Sequence, residues 1–410
     1  MSKFVYVIGT ADTKLDEMAW VKSCMHAAGV DAYIIDVSTS SPACSQGSEQ
    51  IDINAGQIAD YHPAGREHVF CNDRGKAISA MSEALLRFLV ATVDDISGVL
   101  GLGGSGGTAL ITPGMQALPT GIPKIMLSTM ASGNVAPYVG ASDIAMMYTV
   151  TDLSGLNRVS RMVLTNAANM MAGAVNHAAT FQNQDRPSLG LTMFGVTTSC
   201  INQLTSVLNA DYDTLVFHAT GNGGMSMEKL IKDGELAGVL DITLTEIDDL
   251  LFGGVLACPE SRLDSVAESQ IPWIGSAGAL DMVNFGARAS VPERYQDRHF
   301  VEHNAQVTLM RTTPEENRKL GVWIGNKLNR CNGPVCFIVP EGGFSALDCP
   351  GQPFWLPQAT EAFIDGLEST VNVTDNRRII RTPAHINSPE FCALVIKIFS
   401  EMMQHQGNTK

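Results

Sequence analysis

"VLGLGGSGGTALI", residues 99–111, places five glycines within the seven positions 101–107, between an apolar run and a helix start. Three patterns fit it. Gly101-x-Gly103-x-x-Gly106 is the spacing of a dinucleotide-binding turn. Gly101-x-x-x-x-Gly106-Gly107-Thr108 is a phosphate loop with glycine where lysine belongs. Gly103-x-Ser105-x-Gly107 has the form of a nucleophile elbow. All three presuppose a strand, a tight turn and a helix, and the chain repeats that unit on both sides of the quoted stretch.

Upstream, "FVYVIG" (4–9) is a β-branched, aromatic run ending in glycine, which predicts a buried strand. Residues 14–29 carry Leu15, Met18, Val21, Met25 and Ala28 at helical spacing. "DAYIIDV" (31–37) reads as a strand, 75–93 as a helix, and 96–104 as the strand feeding the glycine turn. Strands at 122–128 and 143–150 and a long helix at 156–179 follow. The series restarts after the polar "QNQDRP" (182–187): strands at 188–195 and 213–221 alternate with helices at 197–210 and 223–234. "GPVCFIVP" (333–340) and a closing helix at 389–405 look like later members. Alternating strands and helices imply parallel sheets covered on both faces. The expected architecture is α/β: two doubly wound, Rossmann-like domains, 1–186 and 187–410, with an interdomain cleft.

Composition narrows the function. The chain has 410 residues, is 45% hydrophobic and carries a net charge of −15, without the basic face of a nucleic-acid binder. No apolar run reaches the ~18 residues of a membrane span, and the start lacks a signal-peptide pattern. The nine cysteines form no C-x-x-C pair, so reduced thiols in a cytoplasmic protein are expected.

The glycine turn can now be weighed. A dinucleotide site needs an acid about 20 residues downstream for the ribose, and no Asp or Glu occurs in 96–142. An acyl hydrolase built on Ser105 needs a downstream acid and histidine, and Asp152 and His177 are unmarked by their surroundings. Glycine also serves tight helix–strand packing with no ligand at all. Phosphate binding fits best: main-chain N–H groups converge on an anion, a helix N-terminus adds its dipole, and no acid opposes the charge. The missing lysine must then come from elsewhere, Lys14 or Lys124. In a doubly wound sheet the loops at the strands' carboxyl ends meet, so "GTADTK" (9–14), "GLGGSGGT" (101–108) and "LSTMASGN" (127–134) should cluster. The expected binding set is Gly9, Thr10, Asp12, Thr13, Lys14, Gly103, Gly104, Ser105, Gly106, Gly107, Thr108, Ser128 and Thr129, with hydroxyls for phosphates or Mg²⁺.

A resemblance joins these blocks. "GTADTK", "GLGGSGGT", "HATGNGGMSME" (218–228), "GALDMVNFG" (278–286), "VPERY" (291–295), "HNAQVTLMRTTPEEN" (303–317) and "PEGGFS" (340–345) span nearly the whole chain. Together they resemble an uncharacterised bacterial family similar to the N-terminal region of the tomato mosaic virus resistance protein. The resemblance implies a homodimeric two-domain α/β protein whose first domain binds ATP, and it implies no particular reaction. The plant relative continues into a barrel domain, so a separate barrel-domain partner is a further expectation.

The second half supplies titratable groups: His218 at a strand end, Glu228 in the following helix, Arg262 as an anion clamp, and His303. Glu341 and Ser345 mark a third glycine loop, and His303–Asn304 is expected to face the interdomain cleft, with Asn284 and Arg311 in nearby blocks. "HFVEH" (299–303) matches a zinc-protease pattern that needs one helical face, but lacks a third ligand of suitable spacing. "LTEIDDLL" (244–251) reads as a solvated helix start. The expectation is an ATP-binding enzyme acting on a small metabolite in the cleft, with His218, Glu228, Arg262 and His303 as its reacting groups. The rival is a nucleotide-gated interaction protein without catalysis.

Overall fold

The computed structural model describes residues 3–41, 48–178 and 186–407. It divides into two compact units, Met1–Phe181 and Gln182–Lys410. Most of the polar stretch read as a boundary, residues 182–185, lies outside the described residues.

The first unit runs β1 (Phe4–Gly9), α1 (Ala11–Ala27), β2 (Ala32–Asp36), α2 (Ala55–Ala59), α3 (Arg74–Ala91), β3 (Ile96–Gly103), α4 (Ser105–Ala117), β4 (Lys124–Ser128), α5 (Ala136–Val139), β5 (Ile144–Tyr148) and α6 (Arg158–Asn176). Its five strands are parallel, in the order β2-β1-β3-β4-β5. The β1, β3 and β4 segments are buried almost throughout because helices cover both their faces. On one face Met18, Val21 and Met25 of α1 meet Leu164, Ala167 and Met171 of α6. On the other, Leu110, Ile111 and Met115 of α4 meet Leu85, Phe88 and Leu89 of α3. Each of the larger side chains among these, fully buried, contributes roughly 1.5–3 kcal/mol. Helix α6 begins where the sequence offers a cap: Asn157 Oδ1 accepts from the N–H groups of Val159 and Ser160, both at 2.9 Å.

Strand order reverses direction between β1 and β3. A switch point of this kind opens a crevice beyond the carboxyl ends of the strands, between helices on opposite faces. The loops that meet there follow β1 and β3, which are "GTADTK" and "GLGGSGGT".

The second unit runs β6 (Ser188–Met193), α7 (Thr198–Leu208), β7 (Asp213–His218), α8 (Asn222–Lys232), β8 (Gly238–Thr243), α9 (Thr245–Phe252), α10 (Asp264–Glu268), β9 (Trp273–Gly278), β10 (Met282–Phe285), β11 (Phe300–Asn304), β12 (Val307–Arg311), α11 (Pro314–Leu328), β13 (Val335–Pro340), α12 (Pro357–Glu368), β14 (Arg377–Thr382) and α13 (Pro389–Gly407). Six strands form a parallel sheet in the order β14-β13-β9-β8-β6-β7. The other three form an antiparallel sheet, β10-β12-β11, that an all-parallel reading does not anticipate. "HFVEH" falls on β11 and the residue before it, so its histidines do not share a helical face. "LTEIDDLL" also departs from expectation: Glu246, Asp248 and Asp249 on α9 are fully buried rather than solvated. No helix among the described residues is long and apolar enough to cross a membrane.

Candidate functional site

Helix α4 begins at the switch point without a cap. Gly104 occupies the N-cap position, and no side chain accepts from the first turn. Thr108 N–H is the first to find a helical carbonyl, that of Gly104, at 2.9 Å. The N–H groups of Ser105, Gly106 and Gly107 therefore point out of the helix end with no acceptor among the described residues. Ser105 is exposed, and Gly104, Gly106 and Gly107 are half-buried.

Why these positions are glycine is informative. None of residues 103–107 has a positive φ. A Cβ on Gly103 would press on the backbone of Gly107 and Thr108 at 2.8 Å, so this glycine lets α4 pack on β3. At Gly104, Gly106 and Gly107 the nearest atoms to a built Cβ are Thr129 Oγ1 at 3.7 Å, Ile78 Cδ1 at 3.5 Å and Leu102 O at 3.6 Å. These are ordinary contacts, so neither backbone conformation nor internal packing demands glycine there. The other two glycine loops differ. In "HATGNGG", Cβ atoms on Gly221, Gly223 and Gly224 would overlap Ala257 O, His218 O and Glu246. In "PEGGFS", those on Gly342 and Gly343 would overlap the 383–385 segment and Asp348 O.

The "GTADTK" loop is already filled from within. Asp36, fully buried at the end of β2, accepts from Ala11 N–H at 2.9 Å. Ser38 Oγ accepts from Asp12 N–H at 3.1 Å, and the N–H groups of Thr13 and Lys14 turn back to Thr10 O. Burial raises the Asp36 carboxyl above its usual range, against the hydrogen bonds of Ser38 and Ala11. Gly9 is buried, and the hydroxyls of Thr10 and Thr13 bond each other at 3.0 Å. Asp12 is exposed and accepts from Ser40 Oγ at 2.7 Å. The main chain of this loop thus offers an anion little.

Two more of the expected hydroxyls are structural. Thr108 and Ser128, both fully buried, lie 2.6 Å apart, and they bind Gly104 O and Met130 N–H respectively. Thr129 remains half-exposed beside Gly104. Of the two lysines, Lys124 sits at the opposite, amino end of its strand, buried against Asp143 Oδ1 at 2.5 Å and two carbonyls. Lys14 is different. Its Nζ donates to Leu153 O at 3.2 Å, and it joins no ion pair among the described residues. Lys14 is thus a half-buried cation near the start of α1, with no carboxylate paired to it among the described residues.

The elbow reading loses its geometry. Ser105 does not adopt the positive φ of a strained turn, and His177 caps the C-terminal end of α6, beside the C-terminal end of α1.

In the second unit the structure draws Glu228 and Arg262 together, but not as reactants. Arg262 is fully buried, with Nε on Glu246 at 2.5 Å, Nη1 on Glu228 at 2.9 Å and Nη2 on Asp241 at 2.8 Å. Burial opposes its charge, yet Asp241, Glu246 and Glu228 hold it in the charged form, well above the usual range. Glu228 also takes the N–H groups of Leu263 and Ser265, and Glu246 takes that of Gly221 at 2.7 Å. This network ties β8, α8, α9 and the glycine loop into one piece and leaves Arg262 and Glu228 no approach from solvent. Arg311 is likewise engaged, by Phe354 O, Asp281 O, Thr312 and Asp348, and Asn284 is held by Asp249 and Thr245. Ser345 is buried and donates to Asp281 Oδ2 at 2.8 Å, while Glu341 pairs with Arg381. His218 and His303 are exposed, His218 stacking on Phe194 at 5.3 Å.

Asp241, which the sequence did not mark, and Glu246, expected in a solvated helix start, carry as much of this network as Arg262. An acid inside the otherwise apolar "GVLDIT" was the available signal, because a buried carboxylate requires a partner.

Comparison with known proteins agrees with the two-unit division. Residues 3–180 match the N-terminal domain, and residues 186–403 the C-terminal domain, of the uncharacterised protein family UPF0261. A UPF0261 protein of Rhizobium meliloti is 52% identical over 401 residues, covering 98% of this chain and 99% of that one. One from Clostridium tetani is 41% identical, covering 98% and 100%. The tomato ToMV resistance protein Tm-1 is 41% identical over 421 residues, which cover 97% of this chain but only 55% of the plant protein. The chain therefore belongs to the UPF0261 family, and its whole described length corresponds to about half of the tomato relative.

Proposed function

We propose that the first unit binds ATP, with its phosphates on the N-terminal turn of α4. The observation that carries this reading is the set of glycines at 104, 106 and 107, which no internal contact requires, beside three N–H groups lacking acceptors. Both features make sense when an outside group approaches the backbone closely and accepts those hydrogens. Lys14 supplies the cation that the loop lacks, exchanging Leu153 O for a phosphate oxygen. Ser105 and Thr129 add hydroxyls, and exposed Asp12 is the carboxylate available to Mg²⁺ at this edge. Asp36 does not serve as a ribose acid, because Ala11 and Ser38 engage its Oδ1 and the whole side chain is buried, which speaks against a dinucleotide.

The second unit's solvent-facing imidazoles, His218 and His303, are the acid–base groups we propose for a small-metabolite substrate. The test measures ATP binding by calorimetry and metabolite-dependent ATP consumption in wild type, Lys14→Ala and His218→Asn. The reading expects weaker binding in Lys14→Ala, and intact binding with lost turnover in His218→Asn. Full ATP affinity in a folded Lys14→Ala protein would remove Lys14 from the site. Binding without consumption under any metabolite tried would favour a nucleotide-gated interaction protein.

A further inference from the structure

Two cysteines far apart in the chain meet in the core of the second unit. Cys200 is the third residue of α7 and Cys392 the fourth of α13, and the two helices pack together. Their sulfurs lie 3.7 Å apart, and Cys392 Sγ is 3.8 Å from the carbonyl oxygen of Cys200 itself. Neighbouring side chains fix this meeting. Asn387, just ahead of α13, accepts the Cys200 N–H on Oδ1 at 3.1 Å and donates Nδ2 to Val196 O at 2.9 Å. Gln203 Nε2, further along α7, donates to Asn387 O at 3.0 Å. The starts of the two helices are thus clamped to each other, with both sulfurs beside the clamp.

A solitary buried cysteine behaves as a small hydrophobe and is inert. A touching pair differs. A disulfide holds its sulfurs about 2.0 Å apart, so roughly 1.7 Å remains to be closed, which side-chain rotation with a small shift of the helices supplies. The surroundings also give the two thiols different parts. Both sit near helix N-termini, where the dipole favours a thiolate. Hydrogen bonding with Cys200 holds the Cys392 thiol below its usual range, against burial, and the same contact together with burial pushes the Cys200 thiol up. Cys392 retains 4% exposure and Cys200 none. Cys392 is therefore the sulfur that meets an oxidant first, and Cys200 is the shielded thiol that resolves it. We propose that Cys200 and Cys392 form an intramolecular disulfide when a peroxide reaches the protein. The Cys392 thiolate attacks one peroxide oxygen: an S–O bond forms, the O–O bond breaks, and the leaving oxygen departs with a proton as water. The Cys200 sulfur then attacks Cys392: the S–S bond forms, the S–O bond breaks, and the Cys200 proton leaves with that oxygen as a second water. Both sulfurs are oxidised and the peroxide is reduced. The bond joins positions 192 residues apart, so it restricts the unfolded chain and stabilises the second unit.

The full chain, reduced and then freed of reductant, is treated with hydrogen peroxide under native conditions. Remaining thiols are alkylated, and the protein is mapped by tryptic mass spectrometry without reduction. The proposal expects a peptide pair joining Cys200 to Cys392, lighter by two hydrogens than its separate parts and released by dithiothreitol. The oxidised protein should melt several degrees above the reduced one. In Cys200→Ser the link and the rise in melting point should both vanish, and dimedone should capture Cys392 as its sulfenic acid. Recovery of Cys200 and Cys392 as free thiols after peroxide overturns the proposal. So does a link that forms only in urea, or an oxidised protein that melts no higher than the reduced one. Should Cys200→Ser fail to fold, the wild-type peptide map and melting points decide alone.

Discussion

Replacing Gly106 by alanine separates a ligand's need for glycine from the fold's need. Gly106 lies in the first turn of α4, has no positive φ, and its built Cβ meets only Ile78 Cδ1 at 3.5 Å. Nothing in the chain resists the methyl group. Alanine also loses less backbone entropy on folding, so the variant should gain roughly 0.5–1 kcal/mol in stability. In a unit of this size about 1 kcal/mol corresponds to roughly 2–4 °C, so its melting point should rise by a few degrees. ATP binding should move the other way. A Cβ at this place holds a phosphate off the helix end and weakens charge-assisted hydrogen bonds, each worth about 1.5–3 kcal/mol. Loss of one such bond corresponds to roughly 10- to 150-fold in affinity. Thermal unfolding and calorimetry on the same preparations measure both quantities. A more stable Gly106→Ala protein that binds ATP as tightly as wild type would refute the argument, because the glycine would then serve neither fold nor ligand.

The other predictions probe the internal network and its charges. Gly223→Ala, whose Cβ overlaps His218 O, should destabilise the second unit by about 1–3 kcal/mol in urea unfolding, the opposite sign to Gly106→Ala. Arg262→Met leaves three buried carboxylates without their cation and should cost about 3–5 kcal/mol or prevent folding, read from the urea midpoint or soluble yield. Asp36 has a folded pKa above its unfolded value, so its ionised form is penalised on folding. Its contribution to stability is complete below about pH 4 and declines as pH rises toward the folded pKa, by at most about 1.4 kcal/mol per pH unit. Asp36→Asn keeps an acceptor for Ala11 and should flatten that slope in denaturant titrations at stepped pH.

How much of this was legible beforehand follows from what sequence patterns report. Periodicity reports burial, so the parallel strands flanking "GLGGSGGT" and the amphipathic α6 were readable, as was the meeting of the β1 and β3 loops. It does not report pairing partners. "FVEHN" pairs antiparallel with "VTLMR", and "VTLMR" pairs on its other side with "MVNF", a partner that no local signal announces. Glycine content alone likewise cannot separate Gly223, required by His218 O, from Gly106, required by nothing in the chain. Charge misled in the same way. Arg262, Glu228 and the acids of "LTEIDDLL" looked available because charged residues are usually exposed, whereas pairing across distant elements makes their burial tolerable. Lys14 and Lys124 were equivalent candidates in the sequence. Only the register of β4 shows that Lys124 begins its strand, at the edge away from the glycine loop.

Calorimetric titration of Mg·ATP into the full chain, wild type against Gly106→Asp, asks whether the α4 helix start holds the phosphates. The variant adds a carboxylate where three unpartnered N–H groups and an uncapped helix end favour an anion. Binding should be saturable in wild type and absent in a Gly106→Asp protein whose circular dichroism and melting curve show it folded. Equal ATP affinity in the two folded proteins, or no binding to wild type at all, would contradict it.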